Sequence, residues 1–223
     1  MSKVVVFGDI HLPYHCRASV SRGLAIVAEE KPDIIVVLGD FFDCFNFSNF
    51  PRSLNVQNPQ SELVDARLAG EDFWRIIHKR APKAKCYQLT GNHEERIRKR
   101  ILEKCPEMES LIDLRQLFKF NNVETVPYRQ ELVLNNVLYT HGFLSKLGDH
   151  ARHYGMNCVV GHTHRPGIVY IPQFEKKTIF EANAGYLARP EDHPALQYTP
   201  TKYSKWTRSL LKIDDQGPRI ILL

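Results

Sequence analysis

Short unbroken apolar runs recur along the chain, and each of the early ones stops at a polar cluster. Val4 to Phe7 runs into Gly8-Asp9-Ile10-His11, and Ile34 to Leu38 into Gly39-Asp40-Phe41-Phe42-Asp43. Cys86 to Leu89 runs into Thr90-Gly91-Asn92-His93-Glu94. Continuous runs of this length read as buried strands. Between the first two, Val20, Leu24, Ile26 and Val27 recur at roughly helical spacing from Ser19 to Glu30, and Lys31-Pro32-Asp33 ends that helix. Strand, helix, strand predicts a βαβ unit with parallel strands and a right-handed crossover. Asp9 and Asp40 then reach the same edge of one sheet.

Further along, Glu62 to Arg80 has a helical pattern, with Leu63, Leu68, Phe73, Trp74, Ile76 and Ile77 as inward positions and Ala81-Pro82 as its stop. Glu95 to Lys104 predicts a helix crowded with cations, and Met108 to Phe118 another helix. Asn121 to Val126 follows as an edge strand. Glu131 to Leu134, Asn135-Asn136 and Val137 to Gly142 predict a hairpin, because asparagine tolerates the positive φ of a two-residue turn. Ser145 to Tyr154 reads as a short helix and Cys158 to Val160 as a strand. Gly167 to Pro172 pairs with Thr178 to Ala184 as a second hairpin, and Leu210 to Ile213 and Arg219 to Leu223 flank a final turn. Phe41 to Pro59 has no period and mixes aromatics with Asn and Pro. A long irregular segment of that kind is a binding loop or a flap packed by its own rings, and 44–61 is the candidate substrate-binding flap of a single 1–223 domain.

Composition adds limits. A chain of 223 residues can bury a substantial core as one domain. The formal charge of +5 and a pI near 8.9 favour anionic partners without making the chain a polycation. The 5 cysteines, Cys16, Cys44, Cys86, Cys105 and Cys158, are scattered without C-x-x-C spacing, which predicts free thiols in a reducing compartment. The first apolar run is too short for a signal peptide or a membrane span. A cytoplasmic protein with no membrane partner is expected.

The strand ends carry the candidate chemistry. Gly161-His162-Thr163-His164 follows an apolar run, and side chains at i and i+2 on extended chain share a side. With Asp9, His11, Asp40, Asn92 and His141 they form a set of carboxylates, imidazoles and an amide. Singly, each has a structural alternative, such as an Asp that caps a helix or an Asn in a turn. Together, without thiolates, they suit hard to borderline divalent metals. They are too many for one ion, which points to two ions sharing a carboxylate.

In order, Asp9-Ile10-His11, Gly39-Asp40-Phe41-Phe42-Asp43, Gly91-Asn92-His93-Glu94, His141-Gly142 and Gly161-His162-Thr163-His164 resemble the motif series of the calcineurin-like metallophosphoesterase superfamily. The resemblance implies an α/β fold, a four-layer α-β-β-α sandwich of two mixed β-sheets flanked by helices. It implies that Asp9, His11 and His164 hold one metal, that Asn92, His141 and His162 hold the other, and that Asp40 bridges them. It gives His93 the role of protonating the leaving oxygen or steadying phosphoryl charge, with Asp43 orienting it. Manganese is the first expectation, with iron, zinc or nickel as alternatives. Cys44 and Phe45 stand where the family's protein phosphatases have arginine and glycine, which argues against that branch and leaves Arg96, or a side chain of the Phe41 to Pro59 segment, to bind phosphate.

The activity so implied is phosphoester hydrolysis by in-line attack of a metal-activated hydroxide. The cationic helix and the aromatic segment after Asp43 favour a phosphodiesterase acting on nucleotides or nucleic acid, a nuclease among the options. A phosphomonoesterase or nucleotide pyrophosphatase with the same site is the alternative, and a catalytically silent binding module is the non-enzyme one. His15, His150, His153 and His193 match no motif and read as surface or packing residues, His15 being the one nearest the site in sequence. Trp74 and Trp206 read as core or rim residues.

Overall fold

In the computed structural model, which describes residues 2–49, 58–111, 113–189 and 206–223, the apolar runs become strands with the predicted pairing. In chain order the strands are Val4–Phe7 (β1), Ile34–Val37 (β2), Lys85–Leu89 (β3), Glu124–Val126 (β4), Leu132–Leu134 (β5) and Val137–Thr140 (β6). Asn157–Val160 (β7), Gly167–Pro172 (β8), Thr178–Asn183 (β9), Ser209–Asp214 (β10) and Gly217–Leu222 (β11) complete them. The α-helices are Arg17–Glu30 (α1), Pro59–Arg80 (α2), Glu95–Lys104 (α3) and Asp149–Tyr154 (α4).

One sheet has the order β11-β10-β1-β2-β3-β4, the other β5-β6-β7-β9-β8. β1 to β4 run parallel, as the βαβ reading requires, while β10 lies antiparallel on the other side of β1. In the second sheet β6, β7 and β9 are parallel, with β5 and β8 antiparallel at the edges. Both asparagines of the β5–β6 turn have positive φ, 52° at Asn135 and 61° at Asn136, as the hairpin demands.

Side-chain alternation builds the layers. Val4, Val6, Ile34, Val36 and Leu89 of the first sheet pack on Val137, Tyr139, Val159 and Ala182 of the second. The intervening residues Val5, Phe7, Ile35 and Val37 face the other way, toward Leu24 and Val27 of α1 and Phe73, Trp74 and Ile77 of α2. On the outside of the second sheet Leu138, Cys158 and Ile171 meet Ala151 of α4. The result is the α-β-β-α sandwich of two mixed sheets. Each fully buried aliphatic or aromatic side chain contributes about 1.5–3 kcal/mol.

Several local expectations are corrected. Leu68 is 57% exposed. It lies two positions past Ala66, roughly 200° round the helix from the buried stripe of Ala66, Gly70, Phe73 and Ile77. Met108 to Phe118 is not an α-helix but two 3-10 segments, Pro106–Leu111 and Leu114–Phe118. Its apolar residues form no single stripe: Leu114 and Phe118 reach the core while Met108, Leu111 and Leu117 stay exposed. The rings after Asp40 are not a flap packed on itself. Phe41, Phe42 and Phe45 are fully buried, Phe41 and Phe42 against Phe73, Trp74, Phe118 and Phe120, so these three rings cannot stack on a ligand. Of the 44–61 segment, Pro59 to Ser61 belongs to α2, capped by the Asn58 side chain, which accepts from the Ser61 amide at 2.9 Å. Residues 50–57 and His193 lie outside the described residues. Among those described, no helix is long and apolar enough to cross a membrane.

Candidate metal centre

Because β1, β2 and β3 are parallel in one sheet and β6 and β7 in the other, their C-terminal ends open on the same rim of the sandwich. The chain turns abruptly past these ends. Asp9, His11, Asp40, His162 and His164 have φ of 31°, 56°, 46°, 67° and 60°. For non-glycine residues this left-handed region costs roughly 1–2 kcal/mol each, and such outliers cluster where surrounding structure fixes a functional geometry. Gly91 is needed for a different reason: a Cβ there would collide with the amide and carboxylate of Asp40.

The turned side chains converge. His11 Nε2 lies 3.2 Å from His164 Nε2, and His164 Nε2 lies 3.5 Å from Asp9 Oδ2. On the other side Asn92 Oδ1 is 2.8 Å from His141 Nε2 and 2.9 Å from His162 Nδ1. Asp40 Oδ2 stands 3.4 Å from His141 Nε2, and Asp40 also groups with His11 and His164. Tautomers are fixed from behind. His141 Nδ1 donates to the Leu38 carbonyl at 3.0 Å, and His11 Nδ1 meets the Asp43 carboxylate at 2.9 Å, which leaves both Nε2 atoms facing the cluster. That is how ligating imidazoles are oriented.

The electrostatics fit cations. Both carboxylate oxygens of Asp9 are buried without a hydrogen-bond partner, a costly state for an anion. Burial, together with the charge of Asp40, raises the Asp9 pKa well above the carboxylate range. Burial also lowers His164 and His162, so both rings are neutral and ready to ligate. Burial opposes charge on His141, but the Asp40 and Asp9 carboxylates overcome it and push that imidazole up to about 9. Burial likewise opposes the Asp40 charge, which His141 and His93 hold well below the usual range. A buried oxygen pair lacking donors, amid neutral imidazoles and no thiolate, suits divalent ions of the manganese-to-zinc kind.

His93 sits beside this cluster. Its Nδ1 donates to the Asp43 carbonyl at 3.0 Å and lies 3.3 Å from the Asp43 carboxylate. Arg96 Nη2 approaches His93 Nε2 at 2.8 Å, while Arg96 Nη1 donates to the same Asp43 carbonyl at 2.9 Å. A guanidinium only donates, so Nε2 is an unprotonated acceptor and His93 is neutral. Burial, then Arg96, bring its pKa down to about 4 against the pull of Asp40. Every predicted site residue is thus in one cluster, with Arg96 against the catalytic candidate.

The model of the calcineurin-like phosphoesterase family matches residues 2–168. This chain belongs to that family. Gene 54 protein of Mycobacterium phage D29 is 26% identical over 191 residues, 75% of this chain and 71% of that protein. Among solved structures, the E. coli phosphoesterase YfcE aligns over 99% of this chain and 92% of its own, with 18% identity and a TM-score of 0.45. A Vps29 variant from Entamoeba histolytica aligns over 99% of this chain and 98% of its own, with 12% identity and a TM-score of 0.46. The calcineurin-like phosphoesterase match spans all the predicted ligands, from Asp9 to His164.

Other residues that shape the site were not singled out from sequence. Glu94, given no role in the sequence beyond closing the Gly91-Asn92-His93-Glu94 motif, accepts from the amides of Phe41 at 2.7 Å, Phe42 at 3.0 Å and Gly91 at 2.9 Å. It thereby clamps the loops after β2 and β3 together. Asn183 donates to the Gly161 carbonyl at 2.6 Å and holds the histidine-pair loop. His150, a packing residue as expected, accepts from the Phe143 and Leu144 amides at 3.0 and 3.1 Å and leans on Glu181. It props the loop after His141. His15 is turned to the Pro13 carbonyl and His153 is exposed. Trp74 is core, whereas Trp206 packs edge-on to His164, ring centres 4.2 Å apart, with Tyr186 stacked on the same imidazole. The contacts of Glu94 with Phe41 and Phe42, of Asn183 with Gly161 and of Trp206 with His164 join segments distant in sequence, so spacing does not signal them.

Proposed function

We propose that this protein is a divalent-metal-dependent phosphodiesterase acting on nucleotides or nucleic acid. The observation that carries this is the pairing of two ligand clusters across Asp40 with a neutral, half-buried His93 at their side. Asp9, His11 and His164 would hold one cation, Asn92, His141 and His162 the other, and Asp40 both, with manganese the best fit to the donors. When bound, such ions neutralise phosphoryl oxygens and supply a nucleophilic water near neutral pH.

The remaining steps belong to this chain's own groups. Arg96 presents its guanidinium at the site, where a phosphoryl oxygen competes with His93 for it. A guanidinium drawn to substrate frees the unprotonated His93 Nε2, which can then take up a proton from water and pass that proton to the leaving oxygen while Nδ1 stays anchored on Asp43. Asp43 therefore serves two rings, His11 through its carboxylate and His93 chiefly through its carbonyl. The basic face of α3, which begins immediately after Glu94, supports a polyanionic diester over an isolated monoester.

The deciding experiment is turnover of bis-para-nitrophenyl phosphate, para-nitrophenyl phosphate, nucleotides and single- and double-stranded DNA by manganese-loaded protein. Diester cleavage lost on chelation is expected. Activity on monoesters alone favours the monoesterase alternative, and no turnover with full metal occupancy favours a binding module.

A further inference from the structure

α3 turns Arg96, Lys99 and Arg100 toward the loop after Asp43, since residues three and four apart share a helix face. They line a groove of about 250 Å³ whose opposite wall is Phe47 to Asn49 and whose inner end is Asn92 of the metal centre. Arg100 is fixed there, donating to the Ser48 carbonyl at 3.2 Å and pairing with Glu103 at 3.3 Å. Among the described residues no carboxylate pairs with Lys99, although Arg98, roughly 200° round the helix from Arg96, is neutralised by Glu95 and Glu109 at 3.0 and 2.7 Å. In the groove three cations, Arg96, Lys99 and Arg100, stand against one carboxylate, Glu103, so positive charge is in excess there.

The groove leads outward to an aromatic ring. The Lys99 ammonium is 5.8 Å from the centre of the half-buried Tyr128 ring, and the Arg129 guanidinium 5.5 Å from it. Lys99 lines both this groove and a second cavity, of about 1260 Å³, that contains Tyr128 and Arg129. On the wall shared by the two, cations and then a ring follow one another away from the metals, while Glu95, Glu109, Asp113 and Glu124 line other parts of the second cavity. Tracking a phosphate backbone with cations and stacking unpaired bases on rings is how single strands are held. With Phe41, Phe42 and Phe45 committed to the core, the rings along this path are the half-buried Phe47 in the groove wall and Tyr128 beyond it, and Tyr128 is the one placed past the cations.

We propose that this groove is a substrate track for single-stranded nucleic acid, in which Lys99 and Arg100 hold the phosphate next to the scissile one and Tyr128 stacks a base beyond it. The proposal rests on the phosphodiesterase reading and narrows its substrate. A small diester ends at the metal centre and gains nothing from Lys99.

The test compares wild type with Lys99→Ala, Lys99→Glu, Tyr128→Ala and Tyr128→Phe, using manganese-loaded protein. Two readouts are taken: kcat and KM on an oligothymidylate and on bis-para-nitrophenyl phosphate, and anisotropy of a labelled oligothymidylate across a salt series. Lys99→Ala is expected to raise the oligonucleotide KM at least tenfold more than that of the small diester. It should also flatten the salt dependence of binding by about 0.7 in log-log slope, the value for one lost single-strand phosphate contact. Tyr128→Phe should retain oligonucleotide binding and Tyr128→Ala lose it. Equal effects of Lys99→Ala and Lys99→Glu on both substrates, or tighter binding of duplex than of single strand, overturn the track. Variant-sensitive oligonucleotide binding without turnover of any ester supports the track and removes the phosphodiesterase reading. Turnover of small diesters without oligonucleotide binding does the reverse.

Discussion

Arg96 Nη2 donates to His93 Nε2 at 2.8 Å, so the imidazole that the motif series marks for catalysis is held neutral by a residue one helical turn further on. Removing the guanidinium removes both an obligatory donor and a repelling charge. In Arg96→Gln, the His93 midpoint followed by imidazole NMR in chelated protein should rise from about 4. The same variant should lose at least about tenfold in kcat, the low end of what a positioned proton-transfer system contributes. An unmoved midpoint would show that burial alone sets His93.

His93 and Asp40 separate catalysis from metal retention. His93→Ala should keep the wild-type metal content and lose roughly 10²–10⁴-fold in kcat. Asp40→Asn should lower metal stoichiometry as well, because Asp40 faces both clusters. Elemental analysis beside steady-state kinetics distinguishes the two, and full activity in His93→Ala would remove its assigned role.

Metal affinity should depend steeply on pH. His141 is a candidate ligand through Nε2, yet the carboxylates around it push its pKa up to about 9. Binding must therefore displace its proton. The sign is fixed: affinity rises with pH, about tenfold per unit for one released proton, until pH passes about 9. Calorimetric titration with manganese in buffers of different ionisation enthalpy counts the proton. Asp9→Asn should behave in the opposite sense to a damaging core change, since it removes a buried anion with no donors. The chelated variant should melt above chelated wild type and lose the stabilisation by manganese, which for wild type is about 2.7 kcal/mol at a hundred times Kd.

How much of this could be read in advance follows from the range of each interaction. Strand-end ligands such as Asp9, Asp40 and His162 are marked by local apolar runs, and the hairpin at Asn135-Asn136 by its own turn residues. What stayed hidden depends on partners far away in sequence. The apolar run at Leu210 to Ile213 looks like any strand, but nothing local says that it lies beside β1 in the middle of a sheet. Phe41 and Phe42 look like a flap until Phe118 and Phe120, from a segment with no helical stripe, are brought to them. Likewise Leu68 sits in a regular helix, yet only the packing of α2 decides which face is inward.

Glu94 is the sharpest instance, and its clamp can be tested through stability. Burial and then the charge of Asp40 push its carboxyl up to about 7, against the three amides that bond it. With an unfolded value near 4.5, the group is protonated in both states at low pH. Its contribution to stability is therefore lost as pH rises from about 4.5 through about 7. Urea midpoints of chelated wild type should fall across that window more than those of Glu94→Gln, which cannot ionise. Glu94→Ala strands three buried amides, each costing about 1–3 kcal/mol, and should lower stability at every pH. Identical pH profiles in wild type and Glu94→Gln would place the titration elsewhere.

Trp206 offers a direct report on one of the two clusters. Its ring is 4.2 Å from that of His164, while the other tryptophan, Trp74, is buried between α2 and the outer face of the first sheet. A paramagnetic cation held by His164 must then quench Trp206 and leave Trp74 almost untouched. In Trp74→Phe protein, manganese or cobalt should reduce nearly all of the remaining emission, and Asp9→Asn should weaken that response by removing a ligand of the same cluster. Trp206→Phe should keep metal binding, because a ring still packs on the imidazole, whereas Trp206→Ala frees one side of His164 and should weaken retention of that ion severalfold. Quenching that survives in Trp206→Phe but not in Trp74→Phe would mean that the cation lies on the α2 side, away from His164.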